Sequence, residues 1–151
     1  MYQVIDPTQE VEDLMTDPNF NINEWAGYVY LTCHFESGKQ YIGKKSFFHT
    51  QNKKLGKKEL AAIPITRGRR PTTKEVITES DWKTYYGSAD AIKALPKDQM
   101  KRYVMRLCKT KKELTYWETA YLFKYDVLLD DTYINDNILG SFYRKDFEKS
   151  K

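Results

Sequence analysis

An α/β fold of the α+β kind is predicted for this chain by three observations. Alternating β-branched and aromatic residues run over Gly27 to Phe35 and resume over Gln40 to Lys45, with the turn cluster Glu36-Ser37-Gly38-Lys39 between them. The alternation returns over Lys101 to Cys108, and Thr110-Lys111-Lys112-Glu113 then has the form of a capping box in front of a helical apolar stripe. A hairpin, a third strand and a long helix are the parts of one mixed domain.

Along the chain, residues 1–24 read as an acidic N-terminal arm with a helical turn around Gln9 to Met15, stopped by Asp17-Pro18. In the hairpin, a two-residue loop at Ser37-Gly38 or a four-residue loop at Glu36 to Lys39 makes opposed residue numbers sum to 75. Either loop puts Val29, Leu31, Cys33, Phe35 and Ile42 on one face, which belongs on the core. The other face collects Tyr28, Tyr30, Thr32, His34, Tyr41, Gly43 and Lys45, a polar floor that another backbone could approach closely over the side-chain-free Gly43. Residues 46–80 read as a basic insertion, a long excursion with one helical turn near Lys57 to Ala62. Excursions of that length are uncommon unless they bind something. Ser88 then has the character of an N-cap for a short helix ending before Pro96, and Trp82, Tyr85 and Tyr86 belong with a core more readily than with stacked bases. In the third strand Tyr103, Met105 and Leu107 share one side, and Arg102, Val104 and Arg106 the other. The helix from Thr110 to about Tyr125 carries the stripe Leu114, Trp117, Tyr121 and Leu122, with Glu118 inside it. A carboxylate there either has a compensating partner, a cation, an arginine or a metal, or sits at the edge of the stripe and snorkels to water.

Composition narrows the function classes. The net charge of +4 hides an asymmetry, because six acids and none of the 25 lysines and arginines lie in residues 1–24. The body after Glu24 is therefore about +10, a surface suited to a polyanion. Lys44 to Lys74 alone holds ten basic residues and a single acid, Glu59. This split predicts that the arm lies over the basic face and weakens nucleic-acid binding. The two cysteines, Cys33 and Cys108, read as reduced, buried thiols of a cytoplasmic protein. No run of apolar residues long enough for a membrane span and no basic-then-apolar leader is visible, so no membrane partner is expected.

Tyr28-Val29-Tyr30, then Tyr41-Ile42-Gly43 eleven positions on, then the helical Glu118 and Asn135 in Tyr133-Ile134-Asn135, together resemble the GIY-YIG nuclease family. Asp81 to Ser88 and Lys112 to Glu118 look like its bacteriophage-encoded members, and the likeness covers about Gly27 to Asn137. The resemblance implies a small three-stranded antiparallel central sheet flanked by helices, within a single domain over residues 25–151. It also implies a metal-dependent endonuclease cutting DNA phosphodiesters, in the host cytoplasm if phage-encoded. Glu118 would hold Mg²⁺ or Mn²⁺. Tyr41 would be general base or water activator, Tyr30 would orient water or phosphate, and Asn135 would position the helix or a metal-bound group. A phenol is a poor base at neutral pH, so Tyr41 needs help from Lys45, His34 or the metal. The family's helical arginine, expected about ten residues after the second tyrosine, is missing: Gln51 stands near that place. Arg67, Arg69 or Arg70 could supply the phosphate clamp, with Lys44, Lys45, His49, Lys53 and Lys54 as further contacts to double-stranded DNA. With about 14 residues after Asn137, any sequence preference is expected from the insertion, the arm or a homodimer. A catalytically inactive nucleic-acid-binding protein of the same fold, and a protein that binds an acidic partner, are the competing readings.

Overall fold

The computed structural model describes residues 9–64 and 68–148. The chain divides into two compact units, Phe48–Ser80 on its own and Met1–Phe47 with Asp81–Lys151. In the larger unit β1 (Gly27–His34), β2 (Gln40–Ser46) and β5 (Met100–Cys108) form an antiparallel sheet in the order β2-β1-β5. Around it lie α1 (Val11–Thr16), α3 (Asp90–Lys93), α4 (Lys111–Lys124), the small pair β6 (Asn137–Ile138) and β7 (Phe142–Tyr143), and α5 (Arg144–Glu148). The mixed architecture and its three-stranded antiparallel sheet agree with expectation. No described helix is long and apolar enough to cross a membrane.

The hairpin register differs from the predicted one by two residues. Gly27 opposes Ser46 and Cys33 opposes Gln40, so opposed numbers sum to 73. The loop is Phe35 to Gly38, with Gly38 at φ +70° and its N–H donating to the His34 carbonyl at 2.9 Å. A slip of two keeps every side chain on its face, since the pleat repeats every two residues. The face of Val29 and Ile42 therefore still lies on the core, with Leu31 packed against it, together with Met105, Cys108 and the α4 residues Leu114, Tyr121 and Leu122. Phe35 leaves that face for the turn and is exposed.

The opposite face is not an open floor. Tyr28, Tyr30, Thr32 and His34 are all buried, because the chain's own segment around Trp82 to Tyr86 lies over them. Thr32 Oγ1 donates to the Tyr86 carbonyl at 2.6 Å, and Tyr28 Oη to the Trp82 carbonyl at 3.3 Å. Trp82 packs edge-on against Phe47 with centroids 5.0 Å apart, so it closes a second core. A backbone does approach this face, but it is internal.

A β-bulge changes the third strand. Val29 pairs with Arg106 whereas Tyr30 pairs with Val104, so the register shifts between Val29 and Tyr30. The extra residue flips the side-chain alternation. Arg106 consequently shares the α4 face, its guanidinium 4.0 Å from the centre of the Trp117 ring. Arg102 stays on the other face, 1% exposed, donating to the carbonyls of Trp82, Lys83 and Tyr85 and to Glu12. Glu12 belongs to α1, whose Val11 and Leu14 are buried, and the Val104 N–H donates to the Gln9 carbonyl. Residues 9–16 are thus built into the sheet edge.

The smaller unit replaces the expected irregular excursion with a ribbon. β3 (Phe48–Lys54) and β4 (Thr73–Glu79) pair antiparallel along their whole length, with α2 (Lys57–Ala61) after β3. Its strands lack apolar alternation because almost every residue of both is exposed, so no buried face imposes the pattern. Gln51 is thus a strand residue.

Candidate active site

β2 is an edge strand, and its outer edge is clamped by the segment following α4. The Gln40 N–H donates to the Thr132 carbonyl at 2.8 Å, and the Ile134 N–H to the Gln40 carbonyl at 2.7 Å. Asn135 continues this ladder with its side chain, accepting the Ile42 N–H at Oδ1 (3.0 Å) and donating from Nδ2 to the Ile42 carbonyl (2.7 Å). Its buried amide is consumed in holding the backbone between Tyr41 and Gly43. Arg144 locks the clamp in turn, donating to the carbonyls of Val127, Asp130, Tyr133 and Asn135 at 2.5–3.2 Å.

Against this edge lies a cavity of about 610 Å³ whose lining includes Tyr41 from β2, Ser88, Glu118 from α4, and Asn135, Asp136 and Asn137. Tyr41, Glu118 and Asn135, separated by up to 94 positions in sequence, are therefore brought to one cleft. Tyr41 Oη shares a hydrogen bond of 2.8 Å with Ser88 Oγ. Ser88 is not the helix cap that its position predicts: Ala89 takes that place, and no side chain caps α3. Burial pushes the Tyr41 phenol above its ordinary pKa, with the Ser88 hydrogen bond opposing and the Tyr85 and Glu118 charges adding to the rise. Burial likewise raises the Glu118 carboxyl, opposed by the Lys44 charge and by a hydrogen bond from the Lys44 backbone N–H. Lys44 thus acts on this carboxyl through its charge and its backbone N–H, while its Nζ donates to Thr115 Oγ1 at 2.8 Å.

Tyr30 stands behind Tyr41 rather than in the cleft. It is 1% exposed, its ring centre is 6.3 Å from that of Tyr41, and its hydroxyl hydrogen-bonds to Tyr85. Desolvation holds this phenol well above the ordinary range, with the Tyr41 and Tyr85 charges adding to it. A Cβ on Gly43 would come within 2.4 Å of Tyr30 Oη, so the glycine of the second motif is the seat of the tyrosine of the first. The other helpers named for Tyr41 are engaged elsewhere. Lys45 pairs with Asp81 at 2.6 Å and lies 3.9 Å from the Tyr85 ring centre, and His34 bonds Ser37 and Gln99.

His49, Lys53, Lys54, Arg69 and Arg70 are exposed residues of the Phe48–Ser80 unit, and Arg67 lies outside the described residues. No arginine among the described residues lines the cleft. Sequence reasoning missed Ser88 as the partner of Tyr41 and Arg144 as the lock on Asn135. A serine in a loop and an arginine beyond the resembling segment carry no periodic signal that could reveal either.

The fold and the cleft define a class: a helix-flanked antiparallel sheet with the two tyrosine motifs paired on adjacent strands and a helical glutamate beside the second. Residues 12–138 match the family model described as "Putative endonuclease segE, GIY-YIG domain". The chain belongs to this GIY-YIG endonuclease family. No curated protein and no solved structure matches it.

Proposed function

We propose that the protein is a metal-dependent DNA endonuclease whose cleft holds the scissile phosphodiester. One observation carries this reading: Tyr41 and Glu118, from a strand and a helix far apart in sequence, face a single cavity large enough for a hydrated ion and a phosphate. The donor set suits a hard cation. The cleft's lining offers oxygen donors from Glu118, Asp136, Asn137 and Ser88 and contains no histidine or cysteine. No group of three histidine, cysteine, aspartate or glutamate side chains placed to hold a metal occurs among the described residues, so Glu118 would hold Mg²⁺ or Mn²⁺ as its principal carboxylate, with water filling most of the shell. Bound there, the ion supplies positive charge to the phosphate and to the leaving 3′ oxygen.

The chain's own groups account for the rest. Tyr41 is protonated in the free protein, because burial raises its phenol. It therefore acts as a water activator through orientation: its hydroxyl, held by Ser88, aligns the attacking water opposite the leaving oxygen. Tyr30 and Gly43 fix the plane of the Tyr41 ring, and Asn135 fixes the strand beneath it. Lys44 sits beside Glu118 and offers a phosphate contact. Lys45 has its ammonium engaged by Asp81, which supports a structural role. Arg69, Arg70, Lys53 and Lys54 contribute charge for duplex DNA from the second unit.

Supercoiled plasmid incubated with Mg²⁺ or Mn²⁺ tests the proposal. Nicking is expected from the wild type, with a loss of at least about 100-fold in Tyr41→Phe and Glu118→Ala. Equal nicking by all three proteins would sink the assignment. The absence of an arginine from the described lining keeps a second reading in play, a DNA-binding protein without catalysis. That protein would bind duplex tightly and leave the plasmid intact.

A further inference from the structure

The ribbon of the smaller unit has two faces of unequal charge. Its register places Phe48, Thr50, Asn52 and Lys54 with Thr73, Glu75, Ile77 and Glu79 on one side, and His49, Gln51 and Lys53 with Lys74, Val76 and Thr78 on the other. Both acids of the two strands fall on the first side, and the second carries none. Lys53 and Lys74 oppose each other directly, an arrangement that destabilises a strand pair unless negative charge meets it. Glu59 reaches Lys74 at 2.7 Å, while Lys53 stays exposed. His49 and Gln51 are exposed as well, with His49 Nε2 2.8 Å from Thr78 Oγ1.

Three physical matches point to duplex DNA on this side. A two-stranded ribbon fits the B-DNA major groove, whereas the deep, narrow major groove of duplex RNA does not admit side chains. Residues 49, 51 and 53 repeat at roughly 6.7 Å, close to two base-pair steps of about 3.4 Å, so alternate side chains keep pace with the bases. An amide next to a cation, Gln51 beside Lys53, is also the combination that reads a base edge while its neighbour holds a phosphate. We infer that this ribbon face enters the major groove and gives the endonuclease a sequence preference, with Gln51 bonding N6 and N7 of an adenine and Lys53 a phosphate.

The inference rests on the DNA reading above, so its test avoids cleavage. A pool of random-sequence duplexes is bound without added divalent metal, and the retained sequences are read for wild type, Gln51→Ala, Gln51→Lys, Lys53→Ala and Asn52→Ala. Wild type is expected to enrich a motif containing an A·T pair. Gln51→Ala should flatten that one position by about 10-fold in competition, and Gln51→Lys should move it toward guanine. Lys53→Ala should weaken all sequences alike and reduce the salt slope by about one. Asn52→Ala, on the acid-bearing side, should leave the motif intact. Absence of any motif, an unchanged motif in both Gln51 variants, loss of the motif in Asn52→Ala, or preference for duplex RNA would each overturn the inference. A motif that persists in a protein unable to nick plasmid retires the catalytic reading alone.

Discussion

Glu118 shows how burial and chemistry oppose each other at a single residue. Its carboxyl is raised by desolvation, so the folded state binds this proton more tightly than the unfolded chain does. The cost to stability is absent at pH values below the ordinary carboxylate pKa. It grows as pH rises from that value toward the raised one and persists at neutrality. Glu118→Gln should therefore melt at or above the wild-type temperature at pH 7, match it in acid, and lose nicking activity. A thermal scan at two pH values beside the plasmid assay checks this, and a clear drop in Tm at pH 7 would mean the carboxylate is a structural ion pair. Cys108 carries the same sign at the other end of the scale. Burial raises its thiol to about 11, so alkylation of the native protein at pH 8 should spare Cys108 until the chain unfolds. Cys33 and Cys108 pair with Lys101 and Gly27, at opposite ends of β1 and roughly 20 Å apart. They cannot form a disulfide, and peptide mapping after labelling should find both as free thiols.

Between elements, two arginines do structural work that charge counting assigns to DNA. Arg102 is almost wholly buried and answered by three carbonyls and by Glu12 of α1. Removing it strips all of these acceptors at once, so Arg102→Ala should cost about 3–5 kcal/mol in a denaturant titration. Glu12→Ala, which leaves the carbonyls in place, should cost clearly less. Deleting residues 1–24 should consequently lower stability, since it also removes the buried Val11 and Leu14. Arg144 acts through Asn135 on the strand that carries Tyr41. Arg144→Ala and Asn135→Ala loosen that strand without touching the cleft's oxygen donors, so both should reduce kcat about 10- to 100-fold with little change in KM. Partial recovery of the Arg144→Ala rate by added guanidinium at low concentration would separate this positioning role from general destabilisation. The prediction fails if KM rises while kcat holds.

At the scale of the whole molecule, legibility followed the buried faces. The alternation of β1, the stripe of α4 and the Thr110 cap were readable because each pattern serves a core that imposes it; Thr110 Oγ1 does accept the Glu113 N–H at 3.1 Å. The hairpin register slipped by two because the faces are indifferent to such a slip, and Arg106 changed sides because a bulge leaves no mark in composition. The second core over Tyr28 and Tyr30 was hidden by their hydroxyls, which look like surface chemistry until carbonyls such as that of Trp82 are seen to accept them. The ribbon was the least legible, since its exposed strands answer to no core. That same independence can be tested. Phe47 and Trp82 pack with ring centres 5.0 Å apart, and Lys45 bonds Asp81, so the larger unit brings the two ends of the Phe48–Ser80 segment together by itself. Replacing that segment with a short glycine-rich link should cost little loop entropy. The shortened protein is expected to fold cooperatively, with a Tm within a few degrees of wild type, and to keep plasmid nicking. Its affinity for duplex should fall by at least about 10-fold and depend less steeply on salt, because several phosphate contacts leave with the ribbon. A shortened protein that is folded yet wholly inactive on plasmid would instead place a catalytic group, such as Arg69 or Arg70, in the removed segment.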